Sequence, residues 1–193
     1  MLPSTKNINE VIRERRSVFP PQFDTDRKVD DAIIWQMLEN ANWAPTHQKT
    51  EPWRFVVFTG EGLQKLADFM SELYKTATPE EKFKETMYGK LQTNPLKSSH
   101  VIAIGMKRNE KVAEIEEIEA VACAVQNMHL TAQAYGIGAY WGSGGITYYP
   151  EAKSFFGLEP ADKLLGFFYV GHIAKPSADC LRNPIQEKVK WIN

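Results

Sequence analysis

The spacing of apolar residues divides the chain into alternating helical and extended segments. Ile8, Val11 and Ile12 share one face of a short amphipathic helix that ends in Arg15-Arg16-Ser17. Asp24-Thr25-Asp26-Arg27 reads as a turn, after which Asp30 caps a second helix with apolar Ile33, Ile34, Met37, Leu38 and Ala41. Pro45 stops it, because the residue before a proline is driven out of helical space. Trp53 to Phe58 is a strand, ended by Gly60, and Leu63, Leu66, Ala67, Met70, Leu73 and Tyr74 mark a third helix. Thr78-Pro79-Glu80-Glu81 has capping-box form and predicts a charged surface or lid helix running to about Leu91, before Asn94-Pro95.

Val101 to Met106 is a continuous apolar run of strand length, and the segment from Val112 to Tyr135 is the longest predicted helix, closed by Gly136. Its small residues Ala120, Ala122, Cys123 and Ala124 let another backbone approach, so it should be central, buried on more than one side and suited to pairing with its copy in a second subunit. Ile137 to Trp141 is a short strand opening into Gly142-Ser143-Gly144-Gly145, a helix follows around Pro150 to Phe156, and Leu164 to Val170 is the most apolar strand. After Gly171 the pattern dissolves into a tail with few core residues, an arm over 174–193 that needs a surface to lie on. These elements predict one α+β domain over 1–193, a single sheet covered by helices.

Composition narrows the function. Of 193 residues 43% are hydrophobic and 24% charged, with 23 Lys plus Arg against 24 Asp plus Glu, a globular composition without the basic face that nucleic-acid binding needs. No stretch approaches the ~20 apolar residues of a membrane span, and the first residues lack the apolar core of a signal peptide. Cys123 and Cys180 have no Cys or His neighbour at zinc-ligand spacing, so the reading is a reduced, cytoplasmic protein with no metal and no nucleic-acid or membrane partner.

Several motifs fail. Gly136 and Gly138 do not open a dinucleotide fingerprint, because position 141 is Trp, and Ser143 lacks the glycine two residues earlier that a nucleophile elbow requires. Cys123 and His129 lie six residues apart on one helix, about 600° of rotation and off a shared face, so Cys123 reads as a small core residue. Glu114, Glu116, Glu117 and Glu119 read as a solvated helix face rather than metal ligands.

Three separated pieces remain: Arg15-Arg16-Ser17, Ala44-Pro45-Thr46-His47 leading to Glu51-Pro52-Trp53, and Tyr140-Trp141-Gly142-Ser143-Gly144-Gly145-Ile146-Thr147. In this order, with the late Arg182, they resemble the FMN-dependent nitroreductase family, its short bacterial subgroup, over nearly the whole chain. The resemblance implies a sandwich around one mainly antiparallel sheet, assembled as an intertwined homodimer with FMN in the interface and an arm crossing to the partner. Arg15, Arg16, Ser17 and Arg182 are then candidates for the FMN phosphate and ribityl chain, since a dianion calls for charge-assisted donors; the alternative for the arginine pair is favourable charge at a helix C-terminus. Gly142, Ser143 and Gly144 would bring main-chain N–H groups to the flavin ring, or else form an ordinary turn. Trp43 and Trp141 would line the ring or pack in the core, and His47 would face the flavin across the interface or sit on the surface.

The departures are Lys49 and Glu51, where many members carry Asn and Gln, and Phe19, where a basic residue is common; Lys49 is the candidate replacement for the lost charge near the flavin. The implied activity is ping-pong hydride transfer from NADH or NADPH through FMN to a nitroaromatic, quinone or related electron-poor acceptor, with no side chain obligatory as acid or base. The alternatives are a flavoenzyme of the same fold acting on one metabolite, and a non-catalytic FMN-binding dimer.

Overall fold

The computed structural model describes residues 7–178 and 180–192. Five strands, β1 (Phe23–Asp24), β2 (Trp53–Thr59), β3 (His100–Met106), β4 (Ile137–Gly142) and β5 (Lys163–Ile173), form one fully antiparallel sheet. β5 pairs with β1, β3 and β4, and β3 pairs in turn with β2. The helices are α1 (Ile8–Glu14), α2 (Asp31–Asn42), α3 (Glu61–Ala77), α4 (Glu85–Thr93) and α5 (Glu114–Ala134).

Side-chain alternation divides the interior in two. On β3, Ile102, Ile104 and Met106 pack with α2 and α5, whereas Val101 and Ala103 face α3 and α4. On β5, Phe168 and Val170 join the first core, and Phe167 and Tyr169 the second. All seven residues of β3 are buried, which is why the sequence shows an unbroken apolar run there. The alternation slips once, between Ile104 and Gly105 opposite Gly166, whose φ of 121° no other residue adopts without strain. A Cβ on Gly166 would also lie 2.4 Å from the Gly142 carbonyl oxygen.

The structure corrects several expectations. The helix expected from Thr78 to Leu91 is a single tight turn at Glu80–Lys82 followed by α4. Thr78 does not cap it: its hydroxyl bonds the Tyr149 hydroxyl at 2.6 Å, and the Lys84 N–H donates to the Tyr74 hydroxyl. The segment Pro150–Phe156 is a 3-10 helix, and the two-residue strand β1 escaped a reading built on longer periods. Cys123 is exposed on α5 rather than in the core. Of the four glutamates read as solvated, Glu117 is buried, its carboxylate accepting from the Arg108 guanidinium at 2.7 Å and the Asn109 N–H at 3.0 Å. Among the described residues no helix is long and apolar enough to cross a membrane.

Candidate active site

α1 ends because Arg15 turns to extended backbone (φ −56°, ψ 125°) while its N–H still donates to Val11. The chain then runs beside β4, with the Val18 N–H donating to Ala139 O at 2.9 Å. The tail returns to this segment: the Gln22 amide donates to the Lys175 and Pro176 carbonyls at 3.3 Å, and the Ser177 hydroxyl donates to Ser17 O at 2.7 Å. Arg182 thereby meets Arg15, Arg16 and Ser17 around one cavity of about 350 Å³. Residues separated by more than 160 positions thus converge on one concave surface that gathers three guanidinium groups, a donor set with the chemistry to meet an anion. Within it Arg16 also closes α1, donating to the Arg13 carbonyl at 2.6 Å, so charge at the helix C-terminus accounts for part of its place.

Further along the same edge, β4 carries the glycine loop. The Trp141 indole N–H donates to Leu165 O at 3.0 Å, fixing the ring as one wall of a cavity of about 330 Å³ shared with Ile118, Ser143, Tyr148 and Leu165. At Gly142 a Cβ would come within 2.8 Å of the Tyr140 ring, so a larger residue there would have to displace that ring. Gly142 and Gly144 line a smaller cavity on the α4 side.

Ile118, Ala122, Val125 and His129 recur along one row of α5 at helical spacing. Ile118 lines the tryptophan cavity, and His129 lies within reach of the Arg15 charge. His129 stacks edge-on against Phe168 at 4.7 Å; burial first, and Arg15 second, push its pKa down to about 4. The sequence reading considered His129 only as an unlikely partner for Cys123. Its periodicity with Ile118 was the available signal.

The third piece stands apart. Trp43 caps α2 and is 79% exposed, its indole N–H donating to Glu39 at 3.3 Å. His47 is exposed in the turn His47–Lys49, and Lys49 is exposed beside it. Gln48, Lys49 and Glu51 all have positive φ, between 45° and 56°, a strained run held by the Thr46 and Thr50 hydroxyls at 3.1 Å and by the Glu51 N–H donating to Thr46. Within one chain, therefore, Arg15, Arg16, Ser17 and Arg182 form one cavity and Trp141, Gly142, Ser143 and Gly144 line its neighbours, while Trp43 and His47 face outward.

A helix-covered antiparallel sheet with a cationic cavity and a glycine loop along one edge is the α+β sandwich of nitroreductase type. The chain belongs to the nitroreductase family: the family model matches residues 12–172, which span every strand except the end of β5. It is similar to YfhC of Bacillus subtilis, provisionally named an NAD(P)H nitroreductase, with 28% identity over 194 residues, 97% of this chain and 98% of that protein. A nitroreductase-like family protein from Bacillus cereus superposes with a TM-score of 0.84 at 30% identity, covering 100% of this chain and 99% of that one. The FMN-dependent nitroreductase NfnB of Mycobacterium smegmatis, solved with NADPH, shares the fold at a TM-score of 0.76 and 17% identity, over 96% of this chain and 97% of its own.

Proposed function

We propose that the protein is a cytoplasmic, homodimeric FMN-dependent NAD(P)H oxidoreductase that reduces nitroaromatic, quinone or related electron-poor acceptors. The observation that carries this reading is the meeting of Arg15, Arg16, Ser17 and Arg182 around one cavity, a donor set that fits the dianionic phosphate of FMN. Family membership and the named relatives support the same chemistry.

Arg15 and Arg182 would hold the phosphate as forks, with Arg16 adding charge and Ser17 a hydroxyl. Trp141 would wall the ring, and the N–H groups of Gly142 to Gly144 would donate to its edge. His47 and Trp43, outward in one chain, would reach the flavin of the partner across a dimer interface, and the arm beyond Arg182 would cross in the other direction. When bound, FMN would supply hydride transfer between NADH or NADPH and the acceptor, and the side chains would bind, orient and exclude water.

Arg15→Ala tests the assignment. Removing one charge-assisted partner of a bound phosphate should weaken FMN binding tenfold or more, about 1.5 to 3 kcal/mol, in a titration followed by flavin fluorescence. Unchanged affinity in a folded variant would remove Arg15 from the site. Anaerobic bleaching of the flavin band by NADH or NADPH, and its return with a quinone, tests the activity; an inert flavoprotein would reduce the reading to a binder.

A further inference from the structure

The smaller cavity, about 140 Å³ between α4 and the glycine loop, has a different chemical character from its neighbour across the sheet. Its volume is close to that of the ~150 Å³ apolar cavity known to accept one benzene ring. Tyr140 and Tyr169 present near-parallel rings, 22° apart with centroids at 6.1 Å, and Phe167 adds a third aromatic wall. Gly142 and Gly144 open it to the loop where the flavin edge is placed above.

Its polar side chains are the Lys90 ammonium, the Asn94 amide and two tyrosine hydroxyls. Tyr169 is only 6% exposed and brings its hydroxyl to this lining. Burial raises the phenol well above its ordinary pKa, so it stays a donor. Lys90 and Asn94 on and beside α4 line the same space, and among the described residues neither side chain is engaged in a hydrogen bond or ion pair. Among the described residues no carboxylate lines it. The larger cavity of Trp141 offers only the Ser143 and Tyr148 hydroxyls and no charge.

We infer that this cavity is the acceptor's ring pocket and that it selects a single aromatic ring carrying an anionic substituent, with Lys90 as the specificity-determining residue. The inference rests on the oxidoreductase reading above. The ring packs against the tyrosine and Phe167 walls, the anion meets Lys90 and Asn94, and the Tyr169 hydroxyl donates to a substituent oxygen.

Two size-matched pairs of probes test it on the FMN-loaded protein. In calorimetric titrations benzoate should bind about fivefold more tightly than benzamide, the scale of one solvent-accessible ion pair. In steady-state assays kcat/KM for 4-nitrobenzoate should exceed that for 4-nitrobenzamide by a similar factor. Both preferences should fall to near one in Lys90→Met and persist in Lys75→Met, on the neighbouring helix. Equal binding of benzoate and benzamide by the wild-type protein, or a preference that survives Lys90→Met, overturns the inference. Intact benzoate preference without reduction of either nitro compound would instead overturn the oxidoreductase reading and leave the pocket standing.

Discussion

His129 shows how one residue can connect stability to the site. Its folded pKa of about 4 lies below the 6.5 of an unperturbed histidine, so the folded protein favours the neutral ring. The stability it contributes is complete above pH 6.5 and is lost as the pH falls from there toward 4, because the unfolded chain binds the proton first. At 1.36 kcal/mol per unit the full loss is about 3 kcal/mol. His100 acts in the same direction: burial lowers its pKa against the opposing pull of Asp31, whose carboxylate lies 3.0 Å from its Nε2. Urea unfolding at fixed protein concentration should therefore show about 2 to 3 kcal/mol less stability at pH 4.5 than at pH 7 from His129 alone. His129→Gln should remove most of that slope, and an unaltered slope in the variant would place the acid lability elsewhere.

At the scale of elements, what was legible in the sequence was whatever a single periodicity decides. β3 and β5 announced themselves as apolar runs because both faces are covered, and α3 through its unbroken apolar stripe. The helix predicted from Thr78 failed because its capping signal is local, whereas the Thr78 hydroxyl finds a tertiary partner in Tyr149. Glu117 failed likewise: four acids on one helix look alike in sequence, and only the returning turn at Arg108 and Asn109 singles one out. This distinction has a measurable consequence. Glu117→Ala leaves the Arg108 guanidinium and the Asn109 N–H without their partner in a mostly buried place, and should lower stability by about 3 kcal/mol. Glu119→Ala, on the exposed face of the same helix, should stay within about 0.5 kcal/mol. Thermal unfolding of the two variants side by side decides it, and equal losses would return Glu117 to the solvated face.

The whole molecule poses a problem that one chain leaves unsolved. Leu181 is 94% exposed, Trp191 and Ile192 86% each, and Trp35 on α2 71%, a quantity of apolar surface that a soluble monomer seldom leaves in water. The sequence could mark the arm as coreless and Trp43 and His47 as candidates, but in the homodimer proposed above their place would depend on a second copy of the chain, which no periodicity encodes. The arm begins with specific anchors, Gln22 to Lys175 and Pro176 and Ser177 to Ser17, and after Arg182 all of its described residues are exposed. Ordering some ten residues costs about 1 to 2 kcal/mol each in backbone entropy, which exposed contacts cannot offset; a partner's surface can. Truncation before Pro176 should therefore raise the dimer dissociation constant and, by removing Ser177 and Arg182, weaken FMN binding as well. Arg182→Ala in the full chain separates the two effects: it should reduce flavin affinity while the sedimentation profile remains that of the intact protein. A truncated protein that sediments as the same dimer with full flavin would show that the arm neither joins the subunits nor serves the phosphate.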